Sequence, residues 1–492
     1  MRKSVIGICV SVPLAFGLLA CSSTSDDTSG NAGGAGSANG GAHNGGASNG
    51  GTSNGGTSSA GTSNGGSLHS GGSGGTSNAG SASGGGAGTS DTGSAGEAGA
   101  GPSAPTVQSA VYTMSNAAAG NAIYGFTRAS DGSLTPMPSS FPTAGNGSGA
   151  GLGEQGALAY DLENKRIYAV NAGDNSFSIF AVKDDGSLSA AVNVTTAGFG
   201  TGAAALLGPK SVTFHGDTVY VLYEGSATVP SMIAGYALEQ TGGTISATAI
   251  ASSNLHLSSA TQGVDPAQIE FTPDGKWLVV TEKQSGAAGA VKGAGMIDTF
   301  AVDHAGLATL KDYYATAKVG TTDMFQSTPF GFEFQGDTLV VSEAGVTGVG
   351  AYTYANGVIA PVGGVQFLPT DPAPCWVAFS HDFAYVANAQ GPSISGFTVA
   401  ANGELSDIGP IAKSLVASTG KTITGPSGPV NQGPTDEFVS QDGKFLYVLD
   451  SAVPAIGIFE IAENGTLSRV GTDDYSPALT ALPKGAAGII AR

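Results

Sequence analysis

The chain has 492 residues, 80 of them glycine, and its 18 basic and 37 acidic side chains give a formal net charge of −19. Nucleic acids and anionic lipid surfaces repel a protein of the same sign, so the charge argues against both as partners. The three cysteines form no cluster with the spacing of a zinc site. We therefore expect no nucleic-acid partner and no zinc.

The first 20 residues have the pattern of a secretory signal. Arg2 and Lys3 precede an apolar run from Val5 to Ala20, which is short for a membrane span. The ending Leu18–Cys21 resembles the bacterial lipobox, whose cysteine is diacylated and becomes the mature N-terminus. The pattern predicts a signal peptide over residues 1–20, a lipid anchor on Cys21 and a place in the bacterial cell envelope, at the outer membrane or cell surface. A plain signal peptide with an incidental cysteine is the alternative.

Residues 21–105 form a low-complexity segment. Apart from Cys21, nearly all are Gly, Ser, Ala, Asn or Thr, with repeated Asn-Gly-Gly. This composition cannot bury enough apolar surface to offset its ordering entropy. We expect a disordered tether with an r.m.s. reach of roughly 50 Å, followed by a single domain over residues 106–492.

A four-strand unit recurs along the rest of the chain. It is clearest over Pro434–Leu467, where Asp-Gly and Asn-Gly turns, which are strong hairpin signals, separate short apolar runs. The turn before the last strand marks each of seven copies, at Asp131-Gly132, Asp185-Gly186, Gly242-Gly243, Ala305-Gly306, Asn356-Gly357, Asn402-Gly403 and Asn464-Gly465. Seven copies of a four-strand unit predict the blades of a propeller.

Each copy predicts four antiparallel strands, named A to D in chain order. Strand B is an almost continuous apolar run, as in Leu446–Val448, and strand C follows it, as in Ile456–Phe459. The first copy has no strand A before Val111, whereas the last has a surplus apolar run, Gly485–Ala491. We therefore predict an all-β, seven-bladed propeller in which this C-terminal strand completes blade 1 and leaves no free sheet edge.

A polar residue ends strand B in every copy. In blade order these residues are Ser115, Asn171, Tyr223, Glu282, Glu343, Asn388 and Asp450. The D–A and B–C connections of a blade lie on one face of the ring, and binding sites in repeat arrays are usually built on such loops. We therefore expect these side chains to surround the mouth of the central channel on that face. The alternative is that strand ends simply meet water.

Two of these residues are glutamates on neighbouring blades. If Glu282 and Glu343 are close and partly desolvated, one retains a proton near neutral pH and can act as a general acid. With Asp450 or Asp265 they can instead hold Ca²⁺ through carboxylate oxygens. The candidate ligand-binding residues at the mouth are Asn171, Tyr223, Asp265, Asn388 and Asp450.

The repeat, the Asp/Asn-Gly-x-Leu turns and the tail Leu482–Gly488 together resemble the seven-bladed lactonase family, which includes bacterial 6-phosphogluconolactonase and fungal carboxymuconate lactonizing enzymes. The resemblance covers the whole propeller. Active members carry His after a proline at the start of blade 3, where this chain has Pro209-Lys210, and Gly-Pro-Arg-His at the start of blade 4, where it has Asp265–Gln268. The family glutamate at the end of strand B in blade 4 is matched by Glu282.

Three functions fit these observations. The first is a lactonase-like hydrolase of the cell envelope, with Glu282 as acid/base, Glu343 tuning it, and Lys210 or Lys283 polarising the lactone carbonyl. The second is a non-catalytic propeller that binds a glycan, peptide or protein at the same mouth. The third is a structural surface protein, because Tyr385–Asn388 resembles the YVTN repeat of surface propellers. We expect a monomer without a cofactor. A cluster of Glu282 with both lysines would favour the first function, and a sealed channel the third.

The predicted lipid anchor can be tested by replacing its cysteine. We expect Cys21→Ser to release the protein from the membrane fraction, because the residue that carries the acyl chains is lost. Fractionation and mass spectrometry of the mature N-terminus check this. A wild-type protein without lipid, and a variant that fractionates like it, would contradict the prediction.

Overall fold

The computed structural model describes residues 109–259, 265–283, 294–316, 327–368, 373–390, 393–413, 423–425, 428–430, 434–450, 455–470, 482 and 485–492. For residues 409–413, 423–425 and 428–430 the description is limited to the backbone. The predicted signal peptide, the anchor Cys21 and the tether lie outside the described residues. Among the residues described, no helix has the length and apolarity needed to cross a membrane.

Seven four-stranded antiparallel sheets form the blades, as predicted, and in each the spatial order is A, B, C, D. Strand A of blades 1 to 7 is β32 (Ala487–Ala491), β5 (Leu158–Asp161), β9 (Pro209–His215), β14 (Pro266–Phe271), β18 (Pro329–Gln335), β22 (Pro374–Ser380) and β28 (Asp436–Val439). Strand B is β1 (Ala110–Met114), β6 (Arg166–Asn171), β10 (Thr218–Tyr223), β15 (Trp277–Glu282), β19 (Thr338–Glu343), β23 (Phe383–Asn388) and β29 (Phe445–Asp450).

The outer half of each blade is formed by strands C and D. Strand C is β2 (Ala122–Arg128), β7 (Ser176–Ala181), β11 (Met232–Thr241), β16 (Met296–Val302), β20 (Gly348–Thr353), β24 (Ser393–Val399) and β30 (Ala455–Ile461). Strand D is β3 (Leu134–Pro136), β8 (Val192–Val194), β12 (Thr244–Ala249), β17 (Ala308–Ala315), β21 (Ala360–Phe367), β25 (Leu405–Lys413) and β31 (Leu467–Arg469). The short remaining elements are β4 (Phe141–Pro142), β13 (Leu255–His256), β26 (Ile423–Gly425), β27 (Gly428–Val430) and the 3₁₀ helices Thr196–Ala205, Ala344–Val346 and Ala355–Gly357.

Strand B is buried along nearly its whole length in every blade. Each blade packs on a neighbour at both faces, so both sets of alternating side chains leave water and the run need not alternate in polarity. The cluster between blades 7 and 1 is an example, with Tyr447 and Leu449 packed against Val111 and Phe126. This burial explains why strand B is the most apolar segment of each copy.

The marker turns pack against the preceding blade. The glycine at the second position of all seven marker turns has a φ between +75° and +83°, a left-handed conformation that glycine adopts without strain. A Cβ at Gly132 would overlap the Phe445 ring of the preceding blade. In four blades a strand B tyrosine donates a hydrogen bond of 2.7 to 3.0 Å to the marker glycine carbonyl of the next blade, namely Tyr112 to Gly186, Tyr220 to Gly306, Tyr385 to Gly465 and Tyr447 to Gly132.

The C-terminal strand closes the ring, as predicted. β32 pairs antiparallel with β1, with Val111 opposite Ala491 and Tyr112 opposite Ile490. Ile489 and Ile490 are 2% and 1% exposed, so the last strand is part of the core. Blade 1 therefore combines the two ends of the domain, and neither of the paired edges is left open.

The seven strands A surround the axis, and each contacts the strands A of both neighbouring blades. Side chains of one blade satisfy backbone groups at the edge of the next. The amide of Gln268 in blade 4, for example, accepts a hydrogen bond from the Phe332 backbone N–H at 2.8 Å and donates one to the Phe332 carbonyl at 3.0 Å. These bonds fix the blades around the axis, where the candidate site lies.

The closing strand can be tested with one core substitution. We expect Ile490→Ala to lower the free energy of unfolding by about 2–5 kcal/mol, because it removes buried methyl groups between two blades. Val358→Ala, at a position that is 47% exposed, is the control. Urea titration of both variants measures the difference. Equal, small effects would show that the tail does not contribute to the core.

Candidate functional site at the channel mouth

Charged side chains from blades 2, 3 and 4 meet on the face where strands A begin. Lys210 is the second residue of β9, Asp265 precedes β14 and Lys283 follows β15. The Nζ atoms of Lys210 and Lys283 lie 2.6 and 2.9 Å from the same oxygen, Asp265 Oδ1. Glu224 Oε2 lies 3.5 Å from Lys210 Nζ, and the charges of both lysines also act on Glu154. We call these five residues the mouth cluster.

The cluster is open to solvent only on its acidic side. The side chains of Lys210 and Lys283 are each 1% exposed, whereas Asp265 is 20% and Glu224 37% exposed. Burial would raise the pKa of Asp265, but the two lysine charges and their hydrogen bonds lower that pKa to about 2. A ligand that approaches the cluster therefore meets a carboxylate first.

The two lysines differ in how firmly they hold a proton. Burial would lower the pKa of Lys210, but the charges of Asp265 and Glu224 outweigh it and keep this pKa above its ordinary value. Burial lowers the pKa of Lys283 to about 8, helped by the repulsion of Lys210 and opposed by Asp265. Lys210 therefore stays an ammonium ion, and Lys283 exchanges a proton close to neutral pH.

A short segment from blade 2, Gly153–Gln155, crosses the channel mouth, and we call it the mouth strap. The Gly153 carbonyl accepts a hydrogen bond of 2.6 Å from Lys283 Nζ in blade 4. The Glu154 carbonyl accepts one of 2.7 Å from the Trp376 indole in blade 6, and the Gln155 amide forms two with the backbone of Val377, at 2.8 and 3.0 Å. Blade 4 is two blades away from blade 2 and blade 6 lies across the ring from it, so the strap spans the channel mouth.

Glu282, the predicted acid/base, does not join the mouth cluster. Consecutive strand residues point to opposite faces of a sheet, so Glu282 and Lys283 diverge. The Glu282 carboxylate is fully buried and accepts hydrogen bonds from the Ser258 hydroxyl at 3.2 Å and from the Ser259 backbone N–H and hydroxyl. Burial and the charge of Asp298 raise the pKa of Glu282 well above its ordinary value. The observed hydrogen bonds of Glu282 are to Ser258 and Ser259 and not to the two lysines, so the cluster that would favour a role for Glu282 as acid/base is not formed.

Glu343 occupies the corresponding position in blade 5. It is fully buried and accepts hydrogen bonds from the hydroxyls of Tyr352, at 2.6 Å, and Ser327. Burial raises the pKa of Glu343 to about 8, against the opposing effect of the Tyr352 hydrogen bond. The neighbouring carboxyl group that raises the pKa of Glu282 is Asp298 of its own blade. Glu343 is therefore not the residue that tunes the pKa of Glu282, contrary to the prediction from the sequence.

The other polar ends of strand B are likewise buried. Asn171 and Asn388 each donate from Nδ2 to two serine hydroxyls of strand C in their own blade, at 2.9 to 3.1 Å. The Tyr223 hydroxyl shares a 2.8 Å hydrogen bond with Tyr236, and Asp450 is 1% exposed. Six strands B end at the predicted polar residue, whereas β1 ends at Met114, one residue before Ser115. These polar side chains are buried, so they do not form the expected exposed ring at the channel mouth.

The carboxylates proposed for Ca²⁺ are dispersed. Asp265 is engaged by two lysines, while Glu282 and Glu343 are hydrogen-bonded in separate blades. In the described parts of the chain, no three His, Cys, Asp or Glu side chains are arranged to hold a metal ion. The structure therefore offers no support for the calcium alternative.

Comparison with known families agrees with the architecture. The family model described as a lactonase, 7-bladed beta-propeller, matches residues 126–343. Over this stretch the propeller resembles the lactonase family. The match runs from β2 in blade 1 to the end of β19 in blade 5, so it includes the whole mouth cluster.

Solved structures share the fold at low sequence identity. A candidate 6-phosphogluconolactonase of Bacteroides fragilis has a TM-score of 0.56 at 17% identity, covering 80% of this chain and 100% of its own. One of Bacteroides uniformis scores 0.54 at 17%, covering 78% and 100%, and a Lactobacillus plantarum protein scores 0.54 at 14%, covering 78% and 99%. At these identities the likeness shows the fold alone. No curated protein sequence matches the chain.

Two members of the mouth cluster, Glu224 and Glu154, were not predicted from the sequence. Glu224 follows the strand-B end Tyr223, just as Lys283 follows Glu282, so the position one residue past strand B would have indicated it. Glu154 is the only charged residue between Asp131 and Asp161, in a connection of small and polar residues. An isolated charge in such a segment is a signal that could have found it.

The buried carboxyl of Glu343 makes stability depend on pH. The pKa of Glu343 is about 8 in the folded protein and near 4.5 in the unfolded chain. Between these two pH values the folded protein therefore holds a proton that the unfolded chain has released. Its stabilising contribution is therefore complete below pH 4.5 and lost as the pH rises to 8. We expect the unfolding free energy of Glu343→Gln, relative to wild type, to rise by up to about 1.4 kcal/mol per pH unit across the window.

Urea titrations at several pH values check this expectation. Glu404→Gln, at an exposed position, is the control and should follow the wild-type pH dependence. If Glu343→Gln also runs parallel to wild type between pH 5 and about 8, this carboxyl group is ionised in the folded protein and the interpretation is wrong.

Proposed function

We propose that this protein is a lactonase-type hydrolase of the cell envelope, held there by Cys21, and that the mouth cluster rather than Glu282 is its reacting centre. One observation carries the proposal: Lys210 and Lys283, from neighbouring blades, converge on one oxygen of Asp265 at the channel mouth. The family resemblance supports it, because Lys210 stands where active members carry a histidine.

The different proton affinities of the two lysines suit ester hydrolysis. Neutral Lys283 takes a proton from a water molecule as the water oxygen attacks the lactone carbonyl carbon. The Lys210 ammonium ion stabilises the negative oxygen of the tetrahedral intermediate, which gains most in a site that excludes bulk water. Asp265 holds both nitrogens in place and faces the solvent from which substrate enters.

The charge of the cluster favours an uncharged substrate. With Lys283 neutral, the ammonium ion of Lys210 is paired with the carboxylates of Asp265 and Glu224, and these carboxylates form the exposed side. Phosphate recognition usually relies on several unpaired cationic or N–H donors. We therefore propose a neutral lactone as the substrate class rather than a sugar phosphate.

A non-catalytic surface propeller with a structural role is the second candidate. It is favoured by the near-complete burial of both lysine side chains and by the mouth strap, which links blades 2, 4 and 6 by hydrogen bonds. In that case the cluster is an electrostatic link among blades 2, 3 and 4. A lactone assay distinguishes the two, because a structural link leaves no turnover to lose.

The proposed reaction is tested with the purified propeller and δ-valerolactone in a pH-stat. We expect hydrolysis whose rate rises with pH towards about 8, as Lys283 loses its proton. Lys283→Met should lower turnover by about 10²–10⁴-fold, because it removes the base at nearly constant side-chain length. Lys283→Arg should also be slow, since arginine keeps its proton.

Lys276→Met is the matched control, because Lys276 is 71% exposed and lies in the A–B turn of blade 4, on the opposite face. It should retain wild-type turnover. Melting temperatures of all variants separate a loss of folding from a loss of chemistry. A wild-type protein that hydrolyses no lactone faster than buffer would contradict the proposal and favour the second candidate.

A further inference from the structure

Glu154 stands out among the groups at the mouth because one of its oxygens has no hydrogen-bond partner among the described residues. The side chain is 4% exposed, and Oε2 forms no hydrogen bond among the described residues. A buried polar atom without a partner costs free energy, so such atoms are uncommon and often belong to functional sites. The carboxyl group interacts electrostatically with Lys210 and Lys283, the lysines that the proposed reaction uses.

Three charged or titratable groups from different blades face this carboxyl group. Burial raises the pKa of Glu154 to about 8, and the charges of Lys210 in blade 3 and Lys283 in blade 4 oppose that rise. Asp436 in blade 7 is buried nearby, and the charge of Glu154 is the second cause, after burial, that raises the pKa of Asp436. Near neutral pH, Glu154 is therefore a carboxylic acid, with one oxygen that no described residue hydrogen-bonds.

The backbone around Glu154 is held from three sides. Its own carbonyl accepts the Trp376 indole hydrogen bond, while Gly153 and Gln155 are bonded to Lys283 and Val377. These contacts leave the Glu154 backbone little freedom to move. The strap thus presents an acid to the mouth cluster at a fixed place.

From this arrangement we infer that Glu154 is the general acid of the proposed lactone hydrolysis, on which this inference rests. When the tetrahedral intermediate collapses, the bond between the carbonyl carbon and the ring oxygen breaks, and the ring oxygen takes the proton of Glu154. The product is an open-chain hydroxy acid. The proton that Lys283 took from water then passes to the Glu154 carboxylate, which restores both groups.

A pair of lactones with different leaving groups tests this role. δ-Valerolactone releases an alkoxide, which needs a proton as it leaves, whereas dihydrocoumarin releases a stable phenolate. We expect Glu154→Gln to slow hydrolysis of δ-valerolactone by about 10²–10⁴-fold and that of dihydrocoumarin by less than about 10-fold. A purely structural role would lower both rates by the same factor.

Glu437→Gln is the matched control. Glu437 is 1% exposed, its Oε2 also lacks a partner among the described residues, and burial raises its pKa as well, but it lies outside the mouth cluster. It should hydrolyse both lactones at wild-type rates. Infrared difference spectra of wild type and Glu154→Gln at pH 7 provide a readout independent of turnover, since they should contain the C=O stretch of one protonated carboxylic acid.

The outcomes separate this inference from the proposed function. If the wild type hydrolyses neither lactone, the proposed function fails and the acid role fails with it. If the wild type is active but Glu154→Gln slows both lactones equally, or the infrared band is missing from the difference spectrum, only the assignment of Glu154 is overturned. A selective loss on δ-valerolactone together with the band supports it.

Discussion

The pairing of β32 with β1 is the constraint on which the rest of this structure depends. A single blade cannot cover both of its faces, so every blade relies on two neighbours, and the series of blades is stable only when its ends meet. The tyrosine hydrogen bonds to marker glycines, including that of Tyr447 to Gly132 across the closing junction, are possible because the ring is complete.

Closure also creates the site. Seven strands A around one axis bring residues that are far apart in sequence, such as Lys210 and Lys283, to one carboxylate. The price of collecting charges there is desolvation, which the cluster offsets by pairing both lysines with Asp265 and by leaving Glu154 protonated. The same physics that makes the cluster stable thus produces groups that exchange protons near neutral pH.

Deep carboxyl groups outside the cluster have a different role. Glu282 and Glu343 end their strands beneath the connections of their own blades, and each is hydrogen-bonded to serine hydroxyls there. A protonated acid in such a place can donate as well as accept a hydrogen bond, so these residues anchor connections to the core. Polarity at a strand end is therefore a sign of local structure in this propeller as much as of function.

The sequence alone was enough to predict the seven blades, the approximate positions of strands B and C, and the closing strand, because these depend on local signals: turn glycines such as Gly132, apolar runs and an unpaired surplus at Gly485–Ala491. It could not predict which side chains meet. Glu282 and Lys283 are adjacent in sequence, yet strand alternation sends one under its blade and the other to the mouth. Only the tertiary structure decided that Glu154 joins the lysines, because that contact is made across a closed ring and no local pattern encodes it.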